Sequence, residues 1–309
     1  VVEATWLGID WGGTHRRAWR YDGESLVARH DDSAGLLSVA PRFAASLPVL
    51  LAGLGLPAGA PATLVMAGMV GSAQGWQEAP YLDASRSLLE LPQRLVRLTA
   101  PGAPDNAWIV PGVRWQGMGD AVDVMRGEET QLLGALHLLG GGAHANGWYV
   151  LPGTHCKWVW LEGGRIRWLR TYLTGELFAL LGERGTLAPL MQHGRDQHDT
   201  QAFSRGVTHA AEAAMSHALF GARARVVTGA LPREAAASYV SGVLIGTEWH
   251  DLRRQPGLAA DAPVRVIGAP RLAALHAACA AQLGHQVELL DVQAVQAAAW
   301  QALRKEMPR

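Results

Sequence analysis

The chain has 309 residues, about twice the ~150 of a typical single domain, so two domains are expected. With 49% apolar and 17% charged residues it is neither a disordered chain nor a fibrous repeat. Lys plus Arg and Asp plus Glu both number 27, with no run of five like charges, which argues against a nucleic-acid partner.

Residues 5–10 (TWLGID) read as an apolar strand ending in Asp10. A WGGT turn follows, then an alternating strand through HRRAWRYD that Asp22-Gly23 folds back into a third strand at 26–30. A helix is expected over 41–54, a buried strand over 63–67, a helix over 88–99 and a strand over 107–110. No charged residue occurs between Phe43 and Gln77, yet Pro48, Pro57 and Pro61 divide that stretch into pieces too short to span a membrane. The second half repeats the opening. A strand at 148–152 (WYVLP) runs into Gly153-Thr154, a strand follows at 157–161, and a Gly163-Gly164 turn leads to a third strand at 165–171. Helices are expected near 175–182, 200–219 and 233–250, then a strand at 264–267, a helix at 270–283, a strand at 287–289 and a helix at 291–305. The joint falls in GGGAHANG, giving domains 1–140 and 141–309 with a glycine-rich hinge near 140–147.

Other signals are weak. Cys156 and Cys279 are too few for a disulfide framework or a zinc cluster, and with no basic-then-apolar leader in VVEATWLGID they suit a cytoplasmic protein. None of the twelve histidines forms a ligand pair with an acid on one helical face, and His193, His198 and His209 read as solvated. There is no GxGxxG at a strand-to-helix turn and no GxxxxGK[ST].

The duplicated glycine-threonine turn is the informative feature. Backbone N–H groups at Gly12, Gly13 and Thr14, and again at Gly153 and Thr154, are exposed with no Cβ in the way at the glycines, which suits phosphate oxygens. Asp10, at the strand end beside the first turn, is suited to hold Mg²⁺ on a polyphosphate. A single such hairpin would read as an ordinary turn; two could clamp one triphosphate.

DWGGT and LPGTHCKW resemble the two phosphate motifs of the sugar-kinase, Hsp70 and actin superfamily. The segments 68–81 (GMVGSAQGWQEAPY), 109–112 (IVPG), 123–131 (DVMRGEETQ), 151–159 (LPGTHCKWV), 171–181 (TYLTGELFALL) and 239–248 (YVSGVLIGTE) resemble the 2-dehydro-3-deoxygalactonokinase family and cover most of the chain in order. The resemblance implies an α/β fold of two ribonuclease H-like domains, actin-like ATPase in type, flanking an interdomain nucleotide cleft that closes during turnover. The sugar-acid site would lie in the first domain and the adenosine site in the second. It further implies ATP-dependent phosphorylation of the C6 hydroxyl of 2-dehydro-3-deoxy-D-galactonate in galactonate catabolism. The alternatives are an ATP-binding switch of the same superfamily, or a kinase for another sugar acid such as 2-dehydro-3-deoxygluconate.

Phosphoryl transfer needs one carboxylate to accept the hydroxyl proton. By resemblance that residue is Glu128, at a helix start after Gly127, with Glu129 and Asp123 as runners-up. The helix dipole alone also favours both glutamates there, by ~0.3–1 kcal/mol. A keto-acid carboxylate calls for a guanidinium, and Arg126 is the first candidate, an ion pair with Glu129 being its structural alternative. Ser72, Gln74, Trp76 and Tyr81 suit hydroxyls and one face of a carbon chain, or equally a surface loop with buried aromatics. Lys157, one of two lysines, could reach a phosphate or point to solvent. Gly268-Ala269 resembles the superfamily's adenosine-contacting turn, with 228–230 (TGA) as rival. The expected ligands are ATP, Mg²⁺ and a small sugar acid, with no nucleic acid and no membrane; a homodimer is left open.

Overall fold

The computed structural model describes residues 5–194, 198–254 and 262–307. The chain divides into two compact units. The first comprises Val1–Asn146, Val159–Leu169 and Asp291–Arg309, the second Gly147–Trp158 and Arg170–Leu290. The expected joint at 140/141 thus lies six residues before the first change of unit, and the last helix belongs with the first unit.

The first unit opens with β1 (Thr5–Trp11), β2 (Arg16–Asp22) and β3 (Ser25–Asp32), an antiparallel meander. Short α1 (Leu36–Val39) and α2 (Phe43–Gly53) lead to β4 (Thr63–Gly68) and a 3₁₀ turn at Met69–Gly71. Next come β5 (Leu82–Asp83), β6 (Val96–Arg97), β7 (Ala107–Ile109), β8 (Val113–Gln116), β9 (Val122–Met125) and α3 (Glu128–Leu138). The main sheet runs β3-β2-β1-β4-β7-β6, with β1, β4 and β7 parallel. Leu7, Ile9 and Trp11 on β1 are buried with Leu64 and Met66 on β4 and with Phe43, Leu47 and Leu50 on α2. The uncharged stretch therefore resolves into a core helix and a core strand, and no helix among the described residues is long and apolar enough to cross a membrane.

The second half of the chain continues with β10 (Gly147–Leu151), β11 (Cys156–Glu162) and β12 (Arg165–Tyr172), of which Val159–Leu169 count with the first unit, and then α4 (Thr174–Glu183), α5 (Ala188–Met191), α6 (Thr200–Glu212), α7 (Met215–Val227) and α8 (Ala236–Arg253) in the second. It continues with β13 (Val264–Ile267), α9 (Pro270–Gln282) and β14 (Val287–Leu290). The sheet order is β12-β11-β10-β13-β14, with β10, β13 and β14 parallel. The β10-β11 and β11-β12 connections are too short for a parallel crossover, so this sheet also begins with an antiparallel meander. Each sheet thus opens as a meander followed by parallel strands, as the internal repeat predicts. Finally α10 (Val292–Glu306) packs on α3 in the first unit.

Three sequence expectations differ from the structure. The helix expected over 88–99 is a 3₁₀ helix over Leu88–Arg94 followed by β6, because Pro92 supplies no N–H to continue it. The helix over 200–219 is broken at Ala213, which is extended, into α6 and α7. The small sheet β5-β8-β9 lacked a strong alternating signal and was not anticipated.

Candidate active site

In the first unit, Asp10, Gly68 and the start of α3 converge at one end of β1 and β4. Asp10 and Ala67, then Trp11 and Gly68, are register partners. Gly68 has φ +92°, and a Cβ there would come within 2.8 Å of the Trp11 carbonyl oxygen and 3.4 Å of Asp10 Oδ1. Gly68 Cα in turn lies 3.4 Å from where a Gly127 Cβ would sit. Burial pushes the Asp10 carboxyl up to about 6; Arg17, 3.6 Å away, draws it down, while the charges of Glu128 and Asp31 raise it further. Asp10 offers hard carboxylate oxygens of the kind a divalent cation takes.

The Gly12–Thr14 turn is fixed from both sides. Gly12 N–H donates to the His15 carbonyl at 2.9 Å, and the carbonyls of Gly12 and Gly13 accept from Leu36 and Leu37 N–H at 3.0 and 2.9 Å. The N–H groups of Gly13 and Thr14 meet no protein acceptor among the described residues. Beneath the turn, buried Arg16 is bidentate to Asp32, at 3.2 and 2.7 Å, and lies 4.7 Å from the Trp11 ring centre.

Glu128 and Glu129 have different surroundings. Glu128 is half-buried, its Oε2 accepting from Arg126 N–H at 3.2 Å. Glu129 is fully buried, with Oε2 accepting from Gly127 N–H at 2.7 Å and Oε1 from the Thr130 hydroxyl at 3.2 Å. Burial, reinforced by the Glu128 charge, pushes the Glu129 carboxyl up to about 8. Asp123 sits on β9 opposite Trp115, its Oδ1 accepting from Val124 N–H.

Arg126 lies with its guanidinium carbon 4.3 Å from the Tyr81 ring centre and donates from Nη2 to the Ala79 carbonyl at 2.8 Å. Its Nε and Nη1 are buried without a partner among the described residues, and Nη1 stands 2.9 Å from where a Gly71 Cβ would be. Ser72 closes the adjacent turn by donating to the Met69 carbonyl, and Gln74 is exposed. Trp76 stacks on Phe43 at the edge of the core. The structure thus brings Arg126, Tyr81 and the 68–72 turn together, while Trp76 is committed to packing.

The second unit repeats the hairpin arrangement. The Thr154 carbonyl accepts from Glu176 N–H at 2.8 Å, His155 pairs with Glu176 at 2.7 Å, and Gly153 and Thr154 N–H meet no protein acceptor among the described residues. Lys157 is buried and donates to the Thr171 hydroxyl at 2.9 Å. A cavity of about 450 Å³ borders this hairpin, its wall including Pro152, Gly153, Phe178, Ser241, Leu272 and Leu275. Gly268, where β13 leads into α9, packs on Pro152; a Cβ would meet the proline ring at 2.6 Å. The rival turn at 228–230 instead closes the end of α7.

Two residues escaped the sequence reading. A Cβ on Gly35 would come within 2.3 Å of the Thr14 backbone, and one on Gly175 within 2.2 Å of the Gly153 carbonyl oxygen. Each lies just after the third strand of its meander and brings the following helix onto the hairpin. Aligning the internal repeat beyond its third strand, AGLL against TGEL, would have found them. The histidines also differ from expectation: His209 is half-buried between Arg225 and Tyr239, because α7 and α8 pack against its helix.

Residues 10–303 match the 2-keto-3-deoxy-galactonokinase family. The chain is 37% identical over 253 residues to the 2-dehydro-3-deoxygalactonokinase of Escherichia coli (strain K12), covering 82% of each chain. It superposes on the crystal structure of a Sinorhizobium meliloti protein assigned as a 2-dehydro-3-deoxygalactonokinase with TM-score 0.85 and 29% identity, over 97% of this chain and 96% of that one. At the level of fold alone it is similar to component A of the Acidaminococcus fermentans (R)-2-hydroxyglutaryl-CoA dehydratase, with TM-score 0.53 and 15% identity over 98% and 99% of the two chains. The fold is the two-domain α/β type of the sugar-kinase, Hsp70 and actin superfamily, and the chain belongs to the 2-keto-3-deoxy-galactonokinase family.

Proposed function

We propose that this chain transfers the γ-phosphoryl group of ATP to the C6 hydroxyl of 2-dehydro-3-deoxy-D-galactonate, giving 2-dehydro-3-deoxy-6-phosphogalactonate and ADP in galactonate breakdown. The observation that carries the choice of a sugar acid is Arg126, whose Nε and Nη1 are buried and unpartnered two residues before Glu128. A buried guanidinium left with free N–H groups is costly unless an anion completes it, and a carboxylate matches its fork. Tyr81 packs against the guanidinium, and Ser72 and Gln74 are the candidates to bind hydroxyls. Trp76 supports that wall through Phe43.

Glu128 is the general base. It is the less buried of the two glutamates, whereas Glu129 is turned back onto Gly127 and, with its carboxyl near 8, is largely protonated at neutral pH. Glu129 therefore shapes the helix start, and Asp123 is the remaining alternative base. The free N–H groups of Gly13 and Thr14, and of Gly153 and Thr154, receive phosphate oxygens, while Gly12, whose N–H is held by the His15 carbonyl, shapes the first turn. The cavity beside Gly268 and Ala269 takes the adenosine, so that the sugar-acid site belongs to domain 1–140 and the adenosine site to domain 141–309. Lys157 supports the second hairpin through Thr171. Asp10 would hold Mg²⁺, which when bound with ATP neutralises charge on the transferring group. The setting is cytoplasmic, with small-molecule partners, no nucleic acid, and a homodimer as the assembly to test.

The deciding experiment is turnover with ATP and Mg²⁺ across 2-dehydro-3-deoxygalactonate, 2-dehydro-3-deoxygluconate and a set of aldoses, with the product located by phosphorus and carbon NMR. Highest kcat/KM on the galactonate derivative, with phosphate on C6, is expected. ADP formation independent of any acceptor would support an ATP-driven switch instead, and preference for an aldose would remove the role of Arg126.

A further inference from the structure

Glu248 on α8 is only 1% exposed, yet it lies among donors from the two elements that flank the second hairpin. Its Oε2 accepts from Trp158 Nε1–H on β11 at 2.7 Å, its Oε1 from the hydroxyl of Thr174, the first residue of α4, and the Cys156 thiol also donates to it. Behind Cys156 stands His276, also buried, with Nε2 4.0 Å from the sulfur. By residue type, Cys156, Glu248 and His276 could hold a metal ion, their ligand atoms lying within 4.8 Å of one another. The proton positions argue otherwise. Trp249 Nε1, which can only donate, points at His276 Nδ1 from 3.4 Å, so the neutral ring carries its proton on Nε2, the nitrogen that faces the sulfur. Burial keeps that ring neutral, holding His276 down at about 3. The donors therefore run from Trp249 through His276 and Cys156 and end on the Glu248 carboxyl, which burial pushes up to about 7 and which the Thr174, Cys156 and Trp158 hydrogen bonds draw back toward its ionised form.

Thr174 connects this network to the hairpin. The next residue, Gly175, packs against the Gly153 carbonyl, and the one after it, Glu176, donates its N–H to the Thr154 carbonyl. Fixing the Thr174 side chain thus fixes the first turn of α4 against the backbone whose N–H groups remain free. We propose that Glu248 is a positioning residue that, through Thr174, holds the Gly153-Thr154 hairpin in the shape that receives the nucleotide phosphates. This rests on the phosphate-binding role of that hairpin given above.

The test uses the full chain, calorimetric titration with a non-hydrolysable ATP analogue, and steady-state kinetics. Thr174→Val removes the hydroxyl donor and is expected to weaken nucleotide binding by about tenfold, with the KM for the sugar acid unchanged within about twofold. Thr174→Ser keeps the donor and restores affinity. Glu248→Gln, if it folds, shifts nucleotide affinity in the same direction as Thr174→Val. Unchanged affinity in Thr174→Val, or equal losses for nucleotide and sugar acid together with a collapse in thermal midpoint, overturns the proposal. Gly153→Ala separates the two levels. If it too leaves nucleotide binding intact, the hairpin's phosphate role falls and the positioning role with it; if it weakens binding while Thr174→Val does not, only the positioning role falls. Uptake of Co²⁺ with a thiolate-to-metal absorption band that Cys156→Ser abolishes would also overturn it.

Discussion

Glu129 and Glu128 differ by one position on α3, and a rotation of about 100° per residue sends one carboxyl into the protein while the other stays half-buried near Asp10. Glu128→Gln is expected to lower kcat by ~10²–10⁴ while ATP binding survives, measured by turnover and calorimetry; unchanged turnover would move the base to Asp123. Arg126→Met should raise the KM for the sugar acid by about 10–100-fold, the value of a charge-assisted hydrogen bond, with the KM for ATP little changed. Glu129 gives a pH signature. Burial pushes its carboxyl from the ordinary 4.5 up to about 8 in the folded state, so between those values the folded state binds more protons than the unfolded one, and stability falls as pH rises. Glu129→Gln removes that fall, and thermal midpoints between pH 5 and 8 should show a flatter profile than the parent chain.

At the scale of elements, each hairpin depends on the helix that follows its meander. Gly35→Ala and Gly175→Ala would place a methyl within 2.3 and 2.2 Å of hairpin backbone. Relieving such overlap costs about 1–3 kcal/mol and displaces the turn, so each variant should lose thermal stability and bind ATP more weakly. An ATP affinity equal to the parent's in both would remove the helix contact from the binding site. The hairpins themselves were legible in the sequence because a strand, a glycine turn and an alternating strand are local patterns. The shortened helix at Leu88–Arg94 was half legible: Ser87 and Glu90 form the capping box that starts it, but Pro92 outweighs the periodicity that would extend it. The break between α6 and α7 has no glycine or proline to announce it. It reflects packing, as both helices lie against α8.

For the whole molecule, α10 is the clearest case of long-range organisation. It returns to the first unit, where Trp300 meets Trp6 and Trp19 at ring separations of 5.9 and 5.8 Å over Gly8, whose missing side chain leaves room for the indole. Trp300→Ala should cost about 3–5 kcal/mol and raise hydrogen exchange in β1 and β2, nearly the whole chain length away in sequence. If protection is lost only within α10 itself, the helix is not part of that core.

The sequence by itself determined the duplicated meanders, their glycine-threonine turns and the family, because turn chemistry, periodicity and motif spacing are read from neighbouring residues. Tertiary structure decided which glutamate is buried, why Arg126 keeps free N–H groups, how Glu248 is tied to Thr174, and where α10 packs. Those outcomes depend on desolvation and on partners distant in the chain, and neither is written in any local pattern.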